Sequence, residues 1–195
     1  KHTQVRARMD SLLKWSNTST REDPLIRTAL LFAQLLIIHP FMDGNGRIAR
    51  ILVPLFLFRK EAIAAPLLFV SSYFQSLRLR YYQNLYAITE NESWEKWVCF
   101  FLKGIISCAK KQTQVLSSLI ALKESLPQMP AATLRMLFET PLFTRSSFKK
   151  SKGTDALLNE LVRSQCVEKW KRGKFVFKSL IKTIEKTSKS KPSEV

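Results

Sequence analysis

The chain has 195 residues and carries 32 Lys and Arg against 15 Asp and Glu, which gives a formal net charge of +17. Hydrophobic residues make up 46% of the sequence and include 13 Phe, so the chain can bury a sizeable core, which argues against global disorder or a fibrous repeat. Only 5 Gly and 2 His occur, which argues against a glycine-rich sheet and excludes a site with several histidine ligands.

The cysteines and the absence of apolar targeting segments indicate the cellular compartment of the protein. Cys99, Cys108 and Cys166 are odd in number and lack the spacing of a zinc site or a CxxC motif, so we expect them to be reduced and buried. No apolar run reaches the roughly 18 residues of a membrane span, and no signal-like segment is found. We therefore expect a cytoplasmic protein. Because the chain begins with Lys1 rather than methionine, we also expect it to be part of a longer protein.

Apolar residues recur at helical spacing along most of the chain, so the fold is expected to be mainly α-helical. In the first part of the chain, the predicted helices cover residues 5–15, 25–38, 46–60, 71–86 and 93–122. Asp23 followed by Pro24 is typical of a helix N-cap and first turn, and Pro40 ends the same helix. That helix is apolar on nearly every side, which indicates a central core helix.

The second part of the chain begins after Leu126–Pro130, which has the composition of a linker. Helices are predicted over residues 131–139, 144–150 and 154–164, followed by two short strands around the turn Lys171–Gly173. Helices followed by a basic hairpin are typical of a winged helix. We therefore predict a helical core over residues 1–125, a small winged-helix module with a short β wing over 126–182, and a basic solvated tail over 183–195.

The stretch from His39 to Arg50, which reads HPFMDGNGRIAR, joins two of the apolar helices. Since the second of these is predicted to begin near Gly46, the backbone amides of Gly44, Asn45 and Gly46 lie at a helix N-terminus, where they lack intrahelical acceptors and favour an anion. Glycine also lets the backbone approach a phosphate closely. The loop is therefore a candidate phosphate cradle.

Charged and basic side chains surround this cradle. Arg47 and Arg50 are three residues apart and share one helix face, where each can present a planar guanidinium to phosphate oxygens. Asp43 supplies a hard oxygen ligand suited to Mg²⁺, and His39 is of the residue type that most often acts as a general base. Ordinary turn chemistry would explain Asp-Gly-Asn-Gly alone. The whole set instead predicts phosphoryl or nucleotidyl transfer.

The loop matches HPFxDGNGRxxR, the signature of the Fic (Fido) family, at all nine specified positions. Three further stretches are similar to the family: VRARMDSLLKW resembles the helix that follows its flap, SSYFQSLRLRYYQNL its stretch with paired tyrosines, and WEKWVCFFLKGI a downstream helix. The resemblance covers about residues 5–122. The flap hairpin that precedes the first of these helices in the family is not found in the sequence.

The resemblance implies a helical bundle that transfers AMP from ATP to a Ser, Thr or Tyr hydroxyl of a target protein, with Mg²⁺ as cofactor. It implies that His39 is the base and that Asp43 binds Mg²⁺. It also implies the residues that hold the phosphates: Gly44, Asn45 and Gly46 around the phosphate chain, and Arg47 and Arg50 on its β and γ oxygens. Phe41 is expected to point inward and anchor the loop, and Tyr81 and Tyr82 are expected to line the adenosine side or to serve the core.

Two readings of the activity stay open beside AMP transfer. The protein could be a DNA-binding regulator whose loop only senses a nucleotide, or a Fic enzyme that removes AMP or transfers another phosphate-linked group. Gly46 in place of Lys favours AMP transfer over the kinase-like relatives. The sequence leaves open whether the protein forms a homo-oligomer.

Many Fic proteins carry an inhibitory [S/T]xxxE[G/N] helix whose Glu pairs with the second motif arginine, here Arg50. The stretch from Thr18 to Asp23 comes close, but it has Asp where Gly or Asn is expected. We therefore interpret Glu22 mainly as a charge at a helix cap.

The predicted winged-helix module is rich in cations, namely Arg145, Lys149, Lys150, Lys152, Lys169, Lys171, Arg172 and Lys174. One interpretation is contact with a DNA backbone, with the helix over 154–164 in the major groove. That helix contains Asp155 and Glu160, and only Arg163 is basic, so a protein-interaction or scaffold role is the alternative.

Overall fold

A computed structural model describes residues 2–18, 21–147 and 154–188, and the structural statements below refer to these. The prediction of a mainly α-helical protein is confirmed. The chain folds into two compact units, one up to Gln112 and the other from Thr113 onward. In the first unit the helices are α1 (His2–Asn17), α2 (Pro24–Ile38), α3 (Asn45–Arg59), α4 (Ser71–Ser76), α5 (Arg78–Asn91) and the first part of α6 (Trp94–Ser125).

Helix α2 begins where the sequence predicts. The Asp23 carboxylate accepts hydrogen bonds from the backbone N–H groups of Leu25 and Ile26, and Pro24 occupies the first turn. The loop before it is held by Arg27, whose guanidinium is only 2% exposed and lies 4.4 Å from the Trp15 ring centroid. Because α2 packs against both α1 and α3, it fixes where the loop after it can lie.

The core of the first unit is an aromatic cluster around Phe32 of α2. Its ring lies 5.2 Å from that of Phe74, 5.7 Å from that of Trp97 and 5.7 Å from that of Phe101. Trp97 is fully buried, and its indole N–H donates to the Ala29 carbonyl at 2.8 Å. Because buried side chains are closely packed, this aromatic cluster holds α2, which leads into the motif loop, in a fixed position.

Replacing Gly104 with Ala is expected to destabilise the first unit. A Cβ at this position in α6 would lie 2.7 Å from carbons of the Tyr73 ring, so the ring or the helix must shift. We expect a loss of about 1–3 kcal/mol from overpacking, set against a helix-propensity gain of roughly 1 kcal/mol. Chemical denaturation measures the net loss. Lys103→Ala, one residue away and exposed, is the control, and equal stability of the two variants would contradict the packing argument.

Two predictions for the first unit need correction. The helix predicted over residues 71–86 is two helices, because Leu77 leaves the helical region (φ −110°, ψ 35°) between α4 and α5. No proline or glycine marks this position in the sequence, so the hydrophobic pattern runs on through the break. The three cysteines are free, but Cys99 is exposed and Cys166 is half-buried. Cys108 is buried as predicted, and burial raises the pKa of its thiol to about 11.

The second unit combines helices with a small antiparallel sheet. The sheet has the strand order β1-β3-β2. Phe143 and Phe175 face each other across β1 and β3 with their ring centroids 5.8 Å apart, and they join a core that includes the fully buried Leu137 and Phe177. Beyond the end of α6, the elements are α7 (Ala131–Glu139), β1 (Leu142–Thr144), α8 (Thr154–Arg163), β2 (Glu168–Lys169), β3 (Lys174–Val176) and α9 (Lys178–Ser188).

The predicted helices over 131–139 and 154–164 and the basic hairpin are confirmed, whereas two other predictions are wrong in part. Thr144 ends a strand, and residues 145–147 form a 3₁₀ turn where a helix was predicted. Helix α9 continues to Ser188, into the segment predicted to be a solvated tail. The rest of both segments, residues 148–150 and 189–195, lies outside the described residues. The winged-helix assignment and the domain boundaries stay predictions.

None of the helices described is long and apolar enough to cross a membrane.

Candidate functional site

The loop between α2 and α3 is shaped at both ends by left-handed backbone. His39 ends α2 with φ 53° and ψ 58°, and its backbone N–H donates to the Leu35 carbonyl at 3.0 Å. Gly44 precedes α3 with φ 87°, a value that glycine adopts without steric cost. Helix α3 begins at Asn45, one residue earlier than predicted. The amides of the Gly-Asn-Gly segment therefore lie in its first turn, where no intrahelical acceptor exists.

Asn45 braces this loop from inside. Its side chain is 2% exposed, its Oδ1 accepts from the Phe41 N–H at 3.0 Å, and its Nδ2 donates to the Phe41 carbonyl at 2.6 Å. The two hydrogen bonds tie the middle of the loop to the first turn of α3. Of the residues predicted to cradle phosphate, Asn45 can therefore offer only its backbone amide, because its side chain is already used.

Replacing Asn45 with Ala is expected to cost about 1–3 kcal/mol of stability, since it removes two hydrogen bonds of about 0.5–1.5 kcal/mol each and frees the loop. Chemical denaturation measures the stability, and equilibrium dialysis with ATP measures the effect on the loop, where we expect weaker binding. The matched control is Asn84→Ala, whose side chain donates one local bond to the Arg80 carbonyl. If the two variants lost equal stability, the loop would not depend on this brace.

The His39 imidazole is exposed at the end of α2, and its Nδ1 lies 3.3 Å from the Leu36 carbonyl. A carbonyl can only accept, so this contact assigns the proton to Nδ1 and leaves the lone pair on Nε2. His39 is thus an exposed imidazole whose neutral form, with the proton on Nδ1, keeps a lone pair on Nε2.

Asp43 and Arg47 form an exposed ion pair at the mouth of the loop. The Asp43 Oδ2 lies 2.9 Å from Arg47 Nη2, and Oδ1 accepts the Gly44 N–H at 2.6 Å. The two side chains are 91% and 70% exposed, so the pair contributes little to stability. Both groups can therefore exchange this partner for a cation and a phosphate without a large penalty.

Arg50 is half-buried one turn further along α3, and it forms no ion pair or side-chain hydrogen bond with any described residue. A Cβ added at Gly46 would lie 3.2 Å from its Nη1, so a glycine at position 46 leaves room for the guanidinium. Burial raises the pKa of the Tyr81 phenol, and the positive charge of Arg50 opposes part of that rise. Arg50 is therefore a cation near the core for which the described part of the chain supplies no anionic partner.

The two tyrosines predicted for the adenosine side have different environments. Tyr81 is buried against Phe32 and Phe74, which is a core position. Tyr82 is more than half exposed, and its ring packs edge-on against Tyr81 at 5.2 Å. It lines a cleft of about 340 Å³ together with Leu36, Ile37, Leu85, Tyr86 and Thr89.

This cleft lies near the start of the loop, because one of its lining residues, Leu36, also contacts the His39 ring through its carbonyl. Its volume is in the range of small-molecule sites. Sequence reasoning did not single out Tyr86 and Thr89. Their spacing in the sequence could have identified them. Together with Tyr82 and Leu85 they recur every three or four residues and therefore share one face of α5.

A larger cleft of about 790 Å³ lies between α1 and α2 and is mostly apolar, with Leu12, Trp15, Ile38 and Trp94 among its lining residues. Its one charged lining residue is Arg8. It lacks the convergent polar groups that a site for chemistry needs, so the motif loop is the better candidate.

One prediction about the loop is wrong. The Phe41 side chain is 47% exposed instead of pointing inward, and the loop is anchored through the Phe41 backbone. Glu22, which we interpreted mainly as a charge at a helix cap, lies with its carboxylate 2.9 Å from Arg27 near the start of α2. Ser19 and Thr20 of the possible inhibitory stretch lie outside the described residues, as do Lys149, Lys150 and Lys152.

The parts of the site that the structure brings together are an exposed imidazole, a helix N-terminus whose Asn45 and Gly46 amides lack an intrahelical acceptor, an exposed carboxylate and two arginines. These are the features of a helical protein that binds phosphate groups and can move a proton beside them. The description "Fic/DOC family" belongs to a family model that matches residues 1–57, the segment from α1 to most of α3. The segment that carries the candidate site is therefore similar to the Fic/DOC family, in agreement with the resemblance read from the motif.

Two curated relatives match the chain at modest identity. "Protein adenylyltransferase fic-1" of Caenorhabditis elegans is 32% identical over 79 residues, which are 38% of this chain and 16% of that protein. The protein of the same name from Caenorhabditis briggsae gives the same figures. The matched part of the chain thus corresponds to about a sixth of the length of these relatives.

Proposed function

We propose that this protein transfers AMP from ATP to the hydroxyl of a Ser, Thr or Tyr side chain in a target protein, in a Mg²⁺-dependent reaction. The observation that carries the proposal is the motif loop, in which His39 with a free Nε2 stands next to an amide-lined helix N-terminus and two arginines. The names of the curated relatives, protein adenylyltransferases, support the same reaction.

In the proposed reaction, the target hydroxyl oxygen attacks the α-phosphorus of ATP and its proton passes to Nε2 of His39. The bond between the α-phosphorus and the oxygen that bridges to the β-phosphorus breaks, and pyrophosphate leaves. A hydroxyl is a weak nucleophile, so a positioned base lowers the barrier. The Nδ1 bond to the Leu36 carbonyl supports this role, because it keeps the imidazole in the tautomer that can accept the proton.

The departing pyrophosphate needs positive charge and hydrogen-bond donors. The backbone amides of Asn45 and Gly46 at the start of α3 supply fixed donors, the Gly44 amide would join them on release of the Asp43 carboxylate, and Arg47 and Arg50 supply cationic donors. Arg50 is suited to the role because no described residue pairs with its charge. Arg47 would first have to break its ion pair with Asp43. Because both side chains are largely exposed, breaking the pair costs little free energy.

Asp43 is suited to Mg²⁺ by its chemistry. It is a carboxylate with hard oxygens at an exposed loop, and Mg²⁺ typically uses one or two carboxylates while substrate phosphates and water complete its shell. The described residues contain no group of three or more His, Cys, Asp or Glu that could hold a metal ion, which agrees with a site completed by the substrate. Bound at Asp43, Mg²⁺ would supply further neutralisation of the triphosphate charge.

The cleft beside the loop supports an adenosine position. An exposed ring on one wall, Tyr82, can stack on a purine, and apolar side chains form the opposite wall. Tyr81 is assigned a supporting role instead, because its ring is buried behind Tyr82.

The proposed reaction is tested by incubating the chain with Mg²⁺, a cell lysate and ATP labelled on either the α- or the γ-phosphate. AMP transfer leaves the α-label on protein and the γ-label in pyrophosphate. Label from the γ position on protein would indicate phosphoryl transfer and overturn the proposal. Tight ATP binding without protein labelling would favour the nucleotide-sensing regulator. Release of AMP from an already modified protein would indicate that the enzyme removes AMP instead of adding it.

A further inference from the structure

The second unit contains a tight basic hairpin, the segment Glu168–Val176, which comprises β2, the turn Lys171–Gly173 and β3. The Trp170 N–H donates to the Lys174 carbonyl at 2.6 Å and closes the turn. Arg172 at its tip has left-handed backbone (φ 59°, ψ 40°), which fixes the chain reversal. The hairpin is therefore a defined surface rather than a run of charges on an open coil.

Positive charge on the hairpin is not neutralised by its neighbours. Lys169, Lys171, Arg172 and Lys174 are all exposed, and none forms an ion pair or a side-chain hydrogen bond with a described residue. The one acidic residue of the hairpin, Glu168, is paired with Lys178 instead. Four uncompensated cations within six residues favour a polyanionic partner.

An aromatic ring lies among these cations. Trp170 is 57% exposed, while Phe175 of the same hairpin is buried. Lys169 lies opposite Phe175 in the strand register, so by alternation Trp170 and Lys174 are on the other face of the hairpin, with Thr144 of β1. That face presents a large flat ring beside an ammonium group to solvent, an arrangement suited to a stacked base and its phosphate.

The helix of the same unit that sequence reasoning placed in a DNA groove is poorly suited to that position. Asp155 at the start of α8 lies 3.0 Å from Arg145 in an ion pair, and Glu160 is exposed on the same helix. The hairpin, and not α8, therefore carries the attraction for nucleic acid. A tryptophan can stack only on bases that are not already paired and stacked, which favours a single strand over a duplex.

We propose that the hairpin of residues 168–176 binds single-stranded nucleic acid, with Trp170 stacked on a base and Lys171, Arg172 and Lys174 bound to neighbouring phosphates. Stacking on any base is tolerated, so the site has little sequence preference. The binding is separate from the reaction proposed above and needs neither ATP nor His39.

The test is fluorescence anisotropy of a labelled oligothymidine titrated with the full chain at a series of KCl concentrations. The variant K171A/R172A/K174A is expected to lower the slope of log K against log salt by about 2, at about 0.7 for each lost phosphate contact. K96A/K103A/K123A removes the same charge from exposed positions of α6 and is expected to keep the slope. Retention of the full slope by the hairpin variant would overturn the proposal.

The stacking is tested separately. Trp170→Ala is expected to weaken binding at least about 5-fold without changing the salt slope, while Trp170→Phe keeps most of the affinity. Quenching of tryptophan fluorescence by the oligonucleotide is expected in the original chain and reduced in Trp170→Phe. Thermal melting shows whether each variant is folded. We expect all of them to fold, because the substituted side chains are exposed.

Three outcomes contradict the proposal. The first is absence of oligothymidine binding at about 50 mM salt, where phosphate contacts are strong. The second is tighter binding of a duplex of equal length, and the third is tighter binding of vesicles that contain an anionic phospholipid. Labelling of target protein by the hairpin variants is expected to be unchanged, so failure here and failure of the proposed AMP transfer are distinguishable.

Discussion

Replacing His39 with Ala is expected to lower AMP transfer by at least about 100-fold, within the usual range for loss of a general base, while ATP affinity changes little. The reason is that the exposed His39 imidazole contacts only the Leu36 carbonyl among the described residues, whereas the loop is braced by Asn45. The measurement is protein labelling from α-labelled ATP, with ATP binding followed by equilibrium dialysis on the same preparation.

The control for this prediction is Met42→Ala, in the same loop and with a side chain that is fully exposed. It is expected to label targets at the rate of the original chain. Near-normal labelling by His39→Ala would remove His39 from the role of base. Loss of ATP binding in the same variant would mean that the imidazole shapes the phosphate site instead.

Replacing Arg50 with Ala is expected to weaken ATP binding by about 10- to 150-fold, which corresponds to a charged hydrogen-bond contribution of about 1.5–3 kcal/mol. The large effect follows from its environment: the guanidinium is half-buried, and no described residue competes for its charge. Arg47→Ala is expected to have the smaller effect, because Arg47 is 70% exposed and already paired with Asp43.

The matched control is Arg59→Ala, the same change at the exposed far end of α3. It is expected to leave ATP affinity within the error of the dialysis measurement. A thermal melt separates loss of binding from loss of folding, since Arg50→Ala removes no ion pair within the described residues. Unchanged ATP affinity in Arg50→Ala would contradict the proposed hold on the β and γ phosphates.

Local features of the fold could be predicted from sequence where local physics decides them. The start of α2 follows from a capping carboxylate and a proline, which act within four residues. The basic hairpin follows from two short apolar runs on either side of Lys-Arg-Gly. The break at Leu77 could not be predicted, because no local signal there interrupts helical spacing.

The sequence by itself determined the class of the candidate site. The motif from His39 to Arg50 places an imidazole, a carboxylate, helix N-terminal amides and two arginines within one loop and the first turns of the predicted helix that follows it. Residue type and spacing therefore suffice to predict phosphate chemistry there. The same reasoning assigned Phe41 inward and left Glu22 as a possible partner of Arg50, because spacing carries no information on which way an isolated side chain turns.

Only the tertiary structure decided how the residues of the site share their partners. It ties Asn45 to the Phe41 backbone, pairs Glu22 with the buried Arg27, and gives Arg50 no anionic partner among the residues described. It also separates the paired tyrosines, one into the aromatic core and one onto a cleft beside the loop. These outcomes depend on α2 and α5 lying together, residues far apart in the chain, and such long-range packing is set by the whole core rather than by any local pattern.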